Sequence, residues 1–194
     1  MRAISLHQPW ATLVAIGAKK IETRHWATDY RGELLIHAAR NQRYVGIDFD
    51  SPLGKVATEL GSEWQEMVGK TLRRAGFEPG RVSFRFGPMD PEGFNPLPLG
   101  AFVARCRLAD CLPIVNGRMT GAISQPYLLV YGDGVLGICR HEDEFAEWVD
   151  AEKSFGDFTP GRFAWVLEDV EGIWPPVPAK GHQRFWNAKL PSKP

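Results

Sequence analysis

The sequence predicts an α+β fold, a small and partly closed β-barrel of about five to six strands with flanking helices and helical insertions. Two observations predict it. Short apolar runs at residues 2–6, 20–26, 32–39, 100–108 and 163–167 are separated by turn or helix signals. Helical stripes are few, and no internal repeat or low-complexity tract is present.

RAISL at residues 2–6 reads as the first strand. Pro9 suits the first position of a helix, where its missing N–H costs nothing. Trp10, Leu13 and Val14 then fall at i, i+3 and i+4, a core-facing stripe that Gly17 stops. Residues 20–26 follow as a strand, which places Glu22, Arg24 and Trp26 on one face. An acid, a guanidinium and an indole make a poor core face and a good cleft face. GELLIHAA at residues 32–39 is the third strand, reached through a turn around Asp29.

Residues 41–98 read as an insertion. Pro52, Val56 and Leu60 begin a helix that Gly61 interrupts. Ser62 and Gln65 have capping-box spacing, and Trp64, Val68 and Leu72 continue the stripe to Gly76. The Pro- and Gly-rich stretch from Phe86 to Leu99 is expected to be a loop. The sheet resumes at GAFVARCRL, residues 100–108. A second insertion covers residues 116–158. Within it, Tyr127–Val130 and Val135–Cys139 flank Gly132-Asp-Gly134 as a hairpin, and Phe145, Trp148 and Val149 mark an acidic amphipathic helix. FAWVL at residues 163–167 is the last core strand, and HQRFWN near the end is expected to make one helical turn. The whole, residues 1–194, is expected to be a single domain with these two insertions.

Composition narrows the function. Apolar residues at 44% and charged residues at 24% are ordinary for a globular chain, and no apolar run approaches the length of a membrane span. Three cysteines give no disulfide framework, and the first residues hold no signal-peptide core, so a cytoplasmic protein is expected. Nothing in the sequence fixes an oligomeric state, and a monomer is expected. The formal net charge is zero, but its distribution is uneven. Residues 19–43 hold six Lys/Arg against three Asp/Glu, and residues 141–153 hold six acids and one lysine. After Glu171 no acid occurs, while Lys180, Arg184, Lys189 and Lys193 follow.

The five histidines form no zinc pattern, and Cys106 and Cys111 have no second cysteine pair, so no metal is expected. Phosphate-loop and nucleophile-elbow motifs are absent, and no cofactor is expected. Lys19, Lys20 and Glu22 would support acid–base chemistry if buried together; a plain Glu22–Arg24 or Glu22–Lys ion pair fits the spacing equally. Trp10, Trp26, His37 and Trp186 accompany Lys19, Arg24, Arg31, Arg40, Lys180 and Arg184, with Gln183 beside them. Aromatic faces stack bases while cations neutralise phosphates, although Trp10 also fits a core position.

ISLHQPWATLVAIGAKKIETRHW, then YRGELLIHAA, LGAFVARCRLADCL, GRFAWVLEDV and PPVPAKGHQRFWN resemble the ASCH domain, the activating-signal-cointegrator homology family of the PUA-like superfamily. The resemblance implies a PUA-like barrel with a cleft where the first helix, the E-x-R strand and the closing K-G-x-x-x-x-W motif converge. It implies binding of RNA or single-stranded DNA, often through single bases; the lack of a long apolar run separately predicts no membrane partner. Gln8, Pro9, Trp10, Lys19, Glu22, Arg24, Trp26, Arg31, Gly32, Lys180, Gly181 and Trp186 carry over by motif. One branch of the family deacetylates cytidine acetylated on its exocyclic amine. It is similar here at Gly17-Ala-Lys19-Lys-Ile21-Glu-Thr-Arg24, but Glu22 stands where that branch carries a threonine nucleophile. Thr23 is one residue on and should face the other way. Other members are linked to RNA cleavage, for which Lys19 and Glu22 would be acid and base. Three functions are therefore expected to compete: nucleic-acid or nucleotide binding, an amidohydrolase or ribonuclease acting on nucleosides or RNA, and a protein–protein adaptor using the acidic 141–153 segment.

Overall fold

A computed structural model describes residues 1–40, 61–77, 97–116, 127–130, 136–139, 145–148 and 155–190. The elements run β1 (Arg2–Leu6), α1 (Trp10–Ala15), β2 (Ile21–Arg24), β3 (Gly32–Ala38), α2 (Gly61–Arg74), β4 (Ala101–Asn116), β5 (Tyr127–Val130), β6 (Leu136–Cys139), β7 (Phe145–Trp148), β8 (Phe163–Pro178) and β9 (Trp186–Asn187). Nine strands join one mixed sheet in the order β7-β6-β5-β4-β3-β1-β9, with β8 pairing both β2 and β4. All five strands expected from the apolar runs belong to it. The path ends at β7 and β9, so among the described residues the sheet is not closed. Among the described residues no helix is long and apolar enough to cross a membrane.

The chain forms two compact units, residues 1–18, 33–106 and 170–194, and residues 19–32 and 107–169. In the first, β1 and β3 run parallel, pairing Arg2 with Leu34 through Leu6 with Ala38. Ala3, Leu34, Leu35 and Ile36 are fully buried, which explains why this strand pair reads as continuous apolar runs rather than alternation. α1 is started by Gln8, whose Oε1 accepts from the Thr12 N–H at 3.1 Å, and stopped by Gly17 at φ 74°. Leu13 and Val14 are buried as the stripe requires, while Trp10 is half-buried. In α2, Val68 and Leu72 are buried, and Gly76 ends the helix at φ 82°. Gly61, expected to interrupt a helix, opens this one.

In the second unit β2 pairs antiparallel with β8, Ile21 with Val166, Glu22 with Trp165, Thr23 with Ala164 and Arg24 with Phe163. Ile21, Leu112, Ile114, Phe158, Ala164 and Val166 form its core. β5 and β6 make the expected hairpin, pairing Tyr127 with Cys139 and Val130 with Leu136.

Four expectations change. Phe145–Trp148 is a strand, not part of an acidic helix, because it pairs antiparallel with β6 from Leu136–Trp148 to Cys139–Phe145. Phe and Trp at i, i+3 suggest a helix, but cross-strand pairing overrides so short a signal. β2 stops at Arg24, so Trp26 lies beyond the strand. β8 continues through the prolines to Pro178; most of its residues from Glu171 onward are exposed or half-exposed, where a missing ladder N–H is tolerated. HQRFWN makes no helical turn: Arg184 sits at φ 56°, incompatible with a helix, and the chain then enters β9. The helix start at Pro52, Val56 and Leu60, most of the loop at 86–99, and Val149 lie outside the described residues.

Candidate functional site

The residues singled out by sequence fall into a cluster in each unit. In the second unit, Lys19 is 1% exposed. Its ammonium donates to the Ile21 carbonyl and, at 2.5 Å, to the Phe155 carbonyl, and lies 3.4 Å from Glu22 Oε2. The other carboxylate oxygen, Oε1, lies 3.1 Å from Arg24 Nε. Glu22 is thus bracketed by two cations, and three acceptors surround the three donors of the lysine. The antiparallel register places Trp165 opposite Glu22 on the same face. Trp26 packs edge-on against Trp165, ring centroids 4.6 Å apart at 87°. Glu22, Arg24 and Trp26 therefore do share a side, although the last is carried there by the chain beyond the strand.

Thr23 belongs to the opposite face, as alternation requires. Its hydroxyl accepts from the Asp157 N–H at 3.1 Å, and Asp157 is ion-paired to Arg162 at 3.3 Å. Gly156 lies so close that a Cβ there would stand 3.1 Å from Thr23 Cγ2. Arg31 is separate from the Glu22 cluster. Its guanidinium donates to the carbonyls of Thr28 and Tyr30 at 2.8 and 3.0 Å and to Asp110 Oδ1 at 2.9 Å, closing its own loop. The neighbouring Cys111 thiol accepts from the Thr28 N–H at 3.4 Å; burial pushes its pKa up, with Thr28 opposing.

In the first unit, His37 is 1% exposed. Its Nδ1 lies 3.1 Å from Ser5 Oγ and its Nε2 3.1 Å from the Ala179 carbonyl. Ser5 Oγ also lies 2.9 Å from the His182 carbonyl. Burial lowers the His37 pKa, the Ala179 carbonyl opposes this, and His182 adds to it. Trp186 stacks on Phe102 at 5.6 Å and 23°, and its indole N–H is buried with no acceptor among the described residues. His182 tilts against Trp186 at 5.1 Å. Lys180, His182, Gln183 and Arg184 are exposed along the same segment, and Gly181 is pressed onto His37. Arg40 is also exposed and reaches over Gly100. Gln8 is 2% exposed; its amide Nε2 donates to the Pro98 carbonyl at 2.7 Å while Oε1 caps α1. Pro9 is buried at the start of the same helix.

Sequence reasoning missed Ser5, Phe155, Asp157 and Trp165. Trp165 was legible as core, and its pairing with Glu22 depends on a register between distant strands. Phe155 contributes through its carbonyl, which leaves no signal in a side-chain pattern.

A mixed sheet with few helices among the described residues, together with the E-x-R strand, fits a PUA-like fold. A family model described as the ASCH domain matches residues 4–176, and the chain belongs to the ASCH domain family. The match ends before Lys180, so the closing segment lies beyond it. Over 109 residues the chain is 31% identical to Activating signal cointegrator 1 of Mus musculus and 29% identical to Activating signal cointegrator 1 of Homo sapiens. Each match covers 56% of this chain and 14% of the relative, so the chain corresponds to a small part of either protein.

Proposed function

We propose that this chain binds single-stranded nucleic acid or a nucleotide, with Lys180 and Arg184 meeting phosphate and Trp186 offering aromatic surface to bases. The carrying observation is which cations are already neutralised. Lys19 and Arg24 face Glu22, Arg31 faces Asp110, Arg105 faces Glu33, Arg107 faces Glu168 and Asp169, and Arg162 faces Asp157. Among the described residues no ion pair is formed by Lys180 or Arg184, and both are exposed in a segment with no acid after Glu171. Unpaired cations beside an aromatic are what a phosphodiester chain seeks.

Hydrolytic chemistry fits the second unit less well. Lys19 gives its protons to two carbonyls and a carboxylate, which is the arrangement of an anchor rather than of an acid or base. Thr23 is spent on Asp157 and points away from Glu22. Glu22, held by both cations, is a better acceptor for a base amino group than a proton abstractor.

The test is titration of the folded protein with single-stranded RNA, single-stranded DNA and duplex. Two phosphate contacts on a single strand give a log–log salt slope of about −1.4, so affinity should fall about sevenfold between roughly 50 and 200 mM salt. Absence of binding at low salt refutes the proposal.

A further inference from the structure

We propose that His37 is the positioning residue of the closing segment: it clasps Ala179 directly and His182 through Ser5, and so sets where Lys180 and Arg184 stand. The clasp rests on geometry alone, and its consequence for nucleic acid rests on the function proposed above.

The hydrogen bonds define the ring. A carbonyl only accepts, so the nitrogen 3.1 Å from the Ala179 oxygen, Nε2, carries the proton. In the neutral ring Nδ1 is then an acceptor, and the Ser5 hydroxyl 3.1 Å away donates to it. That hydroxyl has one proton and lies 2.9 Å from the His182 carbonyl as well, so it serves Nδ1 and His182 alternately. Two side chains from neighbouring parallel strands thus hold both sides of Gly181.

Gly181 makes the clasp possible. A Cβ on it would stand 2.3 Å from His37 Cε1, 2.5 Å from Nδ1 and 2.8 Å from Ser5 Oγ. No larger residue lets the backbone lie on the ring. Phe102 and Trp186 close the remaining sides edge-on, each 5.8 Å from the imidazole. A ring this enclosed, with both nitrogens engaged, does not touch ligand; it places the exposed cations that do.

The holding form is the neutral ring. A second proton on Nδ1 would let the ring donate to Ser5 while Ser5 donates to His182, but it would place a charge in an enclosed site. The titratable group acting on that site is His182 from the closing segment, while β1, β4 and β9 present Ser5, Phe102 and Trp186, none of them charged. With its folded pKa below the ordinary value, His37 contributes stability in full above that ordinary value. The contribution is lost as pH falls through the lowered one.

The experiment compares wild type, Gly181→Ala, His37→Gln and the Gly181→Ala/His37→Ala double variant. Amide hydrogen exchange at residues 179–187 is read from about pH 7.5 to about pH 5 after correction for intrinsic rates, with His37 ring shifts by NMR and single-strand affinity in parallel. Wild-type protection should fall on acidification, as the enclosed ring takes on a charge, while His37→Gln, which keeps a donor for Ala179 but does not titrate, should not respond. Gly181→Ala should lose protection at every pH, and removing the ring in the double variant should restore part of it. An equal acid response in wild type and His37→Gln, or unaltered protection in Gly181→Ala, overturns the clasp. Protection that follows the expected pattern while no nucleic acid binds leaves the clasp standing and removes the binding function.

Discussion

Replacing Lys19 by methionine separates an anchor from a ligand-binding lysine. Methionine keeps most of the apolar stem and volume, so packing around a side chain only 1% exposed is nearly conserved. What disappears is the ammonium. The Ile21 and Phe155 carbonyls lose their donor, and Glu22 loses one of its two cations. Removing one partner of a buried pair costs about 3–5 kcal/mol. Arg24 stays beside Glu22, so the lower end applies, about 3 kcal/mol. For a chain of this size each kcal/mol moves the midpoint by about 2–4 °C, which predicts a fall in Tm of about 6–12 °C. Glu22→Gln, which leaves both carbonyls satisfied, should cost about 1 kcal/mol. Thermal melts and urea midpoints of the two variants give the comparison. If Lys19→Met costs under about 1 kcal/mol, or keeps its stability while nucleotide binding disappears, the ammonium serves a ligand and the donor count is wrong.

Lys180→Ala and Arg184→Ala should each weaken single-strand binding and flatten the salt slope by about 0.7, whereas Arg31→Ala should leave the slope unchanged and cost under about 1 kcal/mol of stability, measured by titration and by melting. Cys106, buried and with its thiol pKa pushed up to about 12, should resist iodoacetamide at neutral pH and react only on unfolding, as peptide mass mapping would show; labelling of the native protein would contradict its burial. Cytidine acetylated on its exocyclic amine should bind without turnover, because Thr23 is tied to Asp157 on the face away from Glu22. Free cytidine released in a manner abolished by Lys19→Ala would reverse that ranking.

The core strands were legible because burial on both faces writes itself as apolar runs. Leu34, Leu35 and Ile36 can be placed from composition and length alone. The helix ends were legible for a different reason: Gly17 and Gly76 both sit at positive φ, where a side chain is disfavoured. Phe145–Trp148 was not legible, since four residues compatible with either period are decided by the strand beside them. The far half of β8 was hidden by its prolines, which argue against a central strand but not against an exposed one.

Which singled-out residues are buried and paired was not legible, and the reason lies in what neighbours consume. Gln8, Lys19, Arg31 and His37 are the polar residues a motif most readily assigns to chemistry. Each meets partners within the protein: Gln8 with Pro98 and Thr12, Lys19 with Ile21, Phe155 and Glu22, Arg31 with Thr28, Tyr30 and Asp110, His37 with Ser5 and Ala179. A buried polar group left without partners costs about 1–3 kcal/mol, so a chain that retains several of them must spend other polar groups to satisfy them. Residues so satisfied fix backbone positions and have little left to give a ligand. The exposed Lys180 and Arg184 make no such commitments among the described residues, and nothing in their local pattern distinguishes them from an ordinary solvated surface. Under the proposed function their value to a polyanion would come from being held in one place, by a glycine that lies against a histidine ring.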